Sequence, residues 1–219
     1  MSLLRQVGFL LRKELLLEYR QRYAISGIFL YVFSTVFVVY ISALKPQPQV
    51  WNTLFWIIVL FTSINALVKS FVQESSARQL YYYSLVDPLA ILISKTIYNT
   101  ALLSVLSLVA YLTFRVVAGD PVRDVPQFLL ALGLGSLGLG ISLTFVSAVA
   151  NKTNNSATLL AILGFPLIIP ILLELLKLSA NALRLLQDTA ITNDILILLA
   201  IDALLLGLGL LLFPFLWRD

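Results

Sequence analysis

Six runs of almost uncharged residues dominate the hydropathy pattern, separated by short polar stretches that carry most of the basic side chains. A hydrocarbon core about 30 Å thick takes roughly 20 apolar residues in helical form. Segments 24–44, 51–70, 91–114, 128–149, 159–178 and 195–217 each meet that length. The expected fold class is therefore all-α: a polytopic membrane protein with six transmembrane helices in one transmembrane domain over 1–219. Ahead of the first span, Leu4, Val7, Leu11 and Leu15 recur at helical spacing, while Arg5, Arg12, Lys13 and Arg20 share another side. That pattern predicts a cytoplasmic amphipathic helix over 1–23 lying in the headgroup layer, or a basic orientation signal, and the two are compatible. A cleavable signal is not expected: the polar part is too long and the apolar run after it is a full span.

The connections differ in character. Residues 45–50, with Pro46 and Pro48, read as a tight link, and 116–127, with Gly119-Asp120-Pro121 and Pro126, as a turn-rich loop. The longer 179–194 segment is expected to carry a short surface helix through Ala182, Leu183, Leu185 and Leu186. Segment 71–90 reads FVQESSARQLYYYSLVDPLA, polar and aromatic without the Gly/Ser richness of a passive linker. A short helix over about 76–85, ended before Pro88, is predicted there. Tyr81, Tyr82 and Tyr83 supply rigid amphipathic surface suited to a lipid interface or to a partner protein.

Composition agrees with the pattern. The chain is 60% hydrophobic and 12% charged, against about 25% charged residues in a soluble domain. The net charge of +4 reflects basic residues flanking the spans and does not point to nucleic acid. With the N-terminus inside, Arg5, Arg12, Lys13, Arg20, Arg22, Lys69, Arg78, Lys152 and Arg218 fall on the cytoplasmic side. Lys45, Arg115, Arg123, Lys177 and Arg184 fall outside, and Lys95 lies within the inner end of the third span. Nine basic residues against five favour both termini in the cytoplasm. There is no Cys and no His, and Met1 is the single methionine, so disulfides, thiolate metal sites and the usual haem-iron ligands are missing.

No G-x-x-x-x-G-K-[ST] occurs, so a nucleotide phosphate would need another chain to cradle it. Gly133-Leu134-Gly135-Ser136-Leu137-Gly138 spells G-x-G-x-x-G inside an apolar span, where helix packing is the better account. Ser136, Gly140, Thr144 and Ala148 follow every four residues, a small-residue stripe that lets helices approach closely in lipid. Glu174 and Asp202 place carboxylates inside spans, each costing a few kcal/mol. Glu174 has Lys177 at i+3 as a partner. Asp202, roughly 10 Å into its span, has no local partner and is expected to face the bundle interior, a hydrated cavity, or a polar group such as Asn65 or Asn99. Pro166 and Pro170, after Gly164, are expected to kink or locally unwind the fifth span.

Three features together carry a family resemblance. They are the basic start Arg12-Lys13-Glu14-Leu15 with Tyr19-Arg20, the acidic and basic segment from Glu74 to Lys95, and the run LLAILGFPLIIP over 159–170. With six spans in 219 residues, the chain resembles the CcmB family of ABC-2-type permeases, the membrane subunit of a haem exporter for cytochrome c maturation. The family's loop usually has a Gly followed by a Glu where this chain has Ser76 and Gln79. The resemblance implies a non-enzymatic permease subunit in the bacterial inner membrane, present in two copies and surrounded by lipid. It implies docking of the ATPase CcmA through Glu74, Arg78, Gln79, Leu80, Tyr81, Tyr82, Tyr83 and Pro88, with ATP bound on that partner. It further implies association with CcmC and CcmD, service to the haem chaperone CcmE, and haem handled by the complex without a cofactor bound to this chain. Two alternatives stay open at this point: an ABC-2 permease for a lipid, glycan or drug, and a non-transporting membrane scaffold.

Overall fold

The chain is described by a computed structural model that covers residues 2–20, 22–42, 46–67, 86–150, 156–186 and 191–218. Among these residues it forms seven α-helices: α1 (Leu3–Arg20), α2 (Arg22–Ser42), α3 (Pro48–Leu67), α4 (Pro88–Ala118), α5 (Val125–Ala150), α6 (Ser156–Ala182) and α7 (Ile191–Arg218). The helices α3, α4, α5, α6 over Ile162–Ala182 and α7 over Ile191–Phe215 are long and apolar enough to cross a membrane. In α2 the apolar stretch among the described residues is Phe29–Ile41. The chain is an integral membrane protein whose described residues form helices and their connections, with no strand among them.

Helix ends follow local chemistry. Asp87 caps α4, its Oδ1 accepting from the Leu89 N–H at 2.9 Å, and Pro88 occupies the first turn where no donor is needed. That helix stops at Gly119, whose φ of 88° is open to glycine without steric cost. Asp124 opens α5, accepting from the Gln127 N–H at 3.1 Å. The end of α6 departs from the sequence expectation, because no surface helix forms between Ala182 and Leu186. Instead the Leu185 N–H reaches the Ala180 carbonyl at 3.0 Å and the Arg184 N–H reaches Asn181 at 2.8 Å. With Arg184 at φ 55° this is a Schellman stop. It turns Leu183 into the core at 4% exposure, so the apolar residues read as a surface helix are a cap.

The middle helix is α5, packed against α3, α4, α6 and α7. Its buried positions run from Phe128 to Ala150 on nearly every side. The outward faces of the other helices stay apolar: Leu30, Phe33, Phe37 and Ile41 on α2, Phe165, Ile169 and Leu173 on α6, and Leu204, Leu211 and Phe215 on α7 are exposed. A protein apolar both inside and outside is dressed for lipid, where association rests on close packing and interhelical hydrogen bonds. Pro166 and Pro170 lie within the uninterrupted helix α6, so the local unwinding expected there is not found. Four residues apart, both prolines share the exposed side of α6, away from the α5 contact.

Candidate functional site

At the end of the bundle where α4 begins, α1 docks along one stripe. Gln6, Leu10 and Glu14 fall on one side at i, i+4 and i+8 spacing, with Val7 one turn before Leu10. Val7 is buried. Leu10 packs on a small cluster of Ile91 and Leu92 from α4, Ala148 from α5 and Phe213 from α7, which also takes in Val86 and Leu210. Gln6 Oε1 accepts the Asp87 backbone N–H at 3.0 Å. Glu14 Oε1 lies 3.4 Å from Lys95 Nζ, with Lys13 Nζ on its other side at 3.5 Å. Lys95 is only 3% exposed and sits about 10 Å along α4 from Pro88. A lysine placed deep in a span without an anion costs about 2.5–3.5 kcal/mol on insertion scales, and the Glu14 carboxylate removes the reason for that cost. Nothing in the separation of 14 and 95 announces the pair. The available signal was a lone cation inside an apolar run. Of the four apolar positions read from the sequence, Val7 and Leu11 face the protein, while Leu4 and Leu15 point outward at 82% and 61% exposure.

In the middle of the bundle the small-residue stripe of α5 meets α4. Asn99 Nδ2 donates to Thr144 Oγ1 at 2.8 Å. Thr144 Oγ1 in turn donates to the Gly140 carbonyl, and Ser107 and Ser136 share a hydrogen bond at 3.0 Å. Gly140 lies against the backbone of Thr100, so a Cβ there would come within 3.1 Å of its Cα. The G-x-G-x-x-G run is likewise packing: Gly135 faces Trp56 and Leu175, and Gly138 faces Asp202 and Ile171. Asp202 is buried at 2% exposure, and neither of its oxygens has a hydrogen-bond partner among the described residues. It meets the α5–α6 junction, a bundle-interior placement, and pairs with neither polar residue weighed for it. Asn99 is committed to Thr144, and Asn65 is exposed, its Nδ2 donating to the Phe61 carbonyl at 2.8 Å. The Glu174–Lys177 pair forms at 2.9 Å with Lys177 more than half exposed.

The opposite end is closed by aromatic rings. Trp51, Phe55 and Trp56 of α3, Tyr111 and Phe114 of α4, and Phe128 of α5 are all 2% exposed or less. Their centroids stand 4.9–6.3 Å apart, as in the Tyr111–Phe128 and Phe55–Tyr111 pairs. The indoles are also anchored by hydrogen bonds. Trp51 Nε1 donates to the Gly119 carbonyl at 3.1 Å, and Trp56 Nε1 to Ser179 Oγ at 2.8 Å. The loop before α5 is strapped to α6 by the Arg123 and Asp124 N–H groups on the Ala182 carbonyl. Sequence reading missed this cluster, although two tryptophans and one phenylalanine within six residues of α3 were its signal.

Of the residues predicted to face an ATPase, Pro88 is described at the start of α4. Glu74, Arg78, Gln79, Leu80, Tyr81, Tyr82 and Tyr83 lie outside the described residues. The described residues form a packed bundle with rings at one end and α1 tied to Val86 and Asp87 at the other. No curated protein matches the chain. A family model described as CcmB protein matches residues 5–216, nearly the whole length. The chain therefore belongs to the CcmB family, the ABC-type permease component of the haem exporter for cytochrome c maturation.

Proposed function

We propose that the chain is the six-span permease subunit that couples ATP hydrolysis by a partner ATPase of the CcmA type to conformational change in cytochrome c maturation. In this reading α2 is the sixth crossing, both termini face the cytoplasm of a bacterial inner membrane, and α1 rests in the headgroup layer with Leu4, Phe9, Leu15 and Leu16 toward lipid. The observation that carries the reading is the junction at Val86–Asp87. The exit of segment 71–88 is packed against α1, α4, α5 and α7 together. A push on that segment is thereby delivered to four helices at once. Two copies of the chain, with CcmC and CcmD, complete the assembly that releases haem-loaded CcmE.

The test is to purify the chain with its cognate ATPase and replace the stretch Gln79–Tyr83. Loss of complex formation or of ATPase turnover is expected, and unchanged behaviour in both contradicts the coupling role. Asp202 belongs to the same reading. A buried carboxyl without a hydrogen-bond partner is costly in one packed state and marks an interface, α5 with α7, that repacks during the cycle. Asp202→Asn is expected to impair cytochrome c maturation while the complex still assembles. Normal cytochrome levels in that variant would make the carboxyl purely structural.

A further inference from the structure

The proposed coupling runs through segment 71–88, but the contacts at its exit assign a second element to the same task. We propose that α1 is a coupling lever locked to α4 by the Glu14–Lys95 ion pair, and that these two residues act as positioning residues for transmission from the ATPase to the bundle. This rests on the permease reading given above.

Three independent contacts fix α1 to the start of α4. The Gln6 side chain holds the Asp87 N–H, Leu10 sits in the cluster that contains Val86, Ala148 and Phe213, and Glu14 holds Lys95. They span two turns of α1 and about as much of α4, so the two helices cannot slide past one another without breaking all three. The first two are a hydrogen bond to the Gln6 amide and the packing of Leu10 on a cluster that includes the Phe213 ring, neither of them involving charge. The third is between opposite charges, with the ammonium almost fully shielded from water, where removing the Glu14 carboxylate takes a counter-charge from a buried cation. The pair therefore sets the register between α1 and α4. Lys13 shares Glu14 from the wetter side at 25% exposure, so the carboxylate is flanked by cations on both helices. Moving the exit of segment 71–88 carries α1 with it, and α1 lies on the cluster that joins the inner ends of α5 and α7.

The experiment uses the assembled permease–ATPase complex in membranes, with Glu14→Lys, Lys95→Glu and the double reversal. Each single reversal is expected to lower cytochrome c maturation per ATP hydrolysed by about tenfold, with complex formation retained. The double reversal restores the pair and is expected to recover maturation to within about threefold of the parent. Single reversals that mature cytochrome normally, or a double reversal as poor as the singles, overturn the proposal. Should a reversal prevent accumulation in the membrane, Glu14→Gln keeps the size and hydrogen bonding of the side chain. Its ratio of maturation to ATP hydrolysed is expected to fall, and an unchanged ratio overturns the proposal equally. A parent chain that binds no ATPase sinks the permease reading and this inference with it, an outcome distinct from a parent that couples normally while the reversals have no effect.

Discussion

Gly138 and Gly140 show how single hydrogen atoms set the spacing of this bundle. A methyl group on Gly140 would meet Thr100 Oγ1 at 2.5 Å and its Cα at 3.1 Å, and backbone cannot rotate aside. Gly140→Ala is therefore expected to destabilise the protein by about 1–3 kcal/mol, the usual cost of overpacking. Gly133 has nothing within 4 Å of the same added atom, so Gly133→Ala should stay within about 0.5 kcal/mol of the parent. Equilibrium unfolding of both variants in mixed micelles separates the two cases. Equal losses would mean that the α4–α5 approach is looser than described. The stripe Ser136, Gly140, Thr144, Ala148 was legible because small residues every four positions allow only one surface. The surroundings of Asp202 were not, because burial beside Gly138 leaves no pattern along a single strand of sequence.

At the scale of elements, helices were easier to read than their ends or their rotation. The crossings over α3 to α7 follow from runs of apolar residues, since lipid demands that the backbone satisfy itself. The stop of α6 did not, because Arg184 fills a left-handed position that glycine normally marks. Arg184→Gly should relieve that conformation and stabilise the cap by up to about 1 kcal/mol. A rise in thermal midpoint in detergent is the expected result, and a fall would mean that the Arg184 side chain itself holds the loop. For α1 the spacing of apolar residues gave a helix but not its docked face. Pairing with Lys95 and packing of Val7 and Leu10 together turn Gln6, Leu10 and Glu14 toward α4, leaving Leu4 and Leu15 exposed. Of the kink or unwinding expected at the prolines of α6, unwinding does not occur, and both prolines lie on the exposed side of a continuous helix.

At the scale of the whole molecule, aromatic rings hold one end of the bundle and a small apolar cluster joins helices at the other. The ring cluster of Trp51, Phe55, Trp56, Tyr111, Phe114 and Phe128 binds α3, α4 and α5 into one unit, and the indole of Trp56 extends it to α6. The junction at Val86 and Leu10 joins the ends of α1, α4, α5 and α7, among the described residues, through a smaller apolar cluster. Motion applied at the junction is therefore expected to pivot about the rings. That scheme requires segment 71–88 to lie on the side of the membrane where nucleotide is found. The chain has no cysteine, so a single Tyr82→Cys or Asp120→Cys reports its own side to a membrane-impermeant maleimide. In intact cells Asp120→Cys is predicted to label and Tyr82→Cys to label only after permeabilisation. Labelling of Tyr82→Cys from outside intact cells would contradict the account.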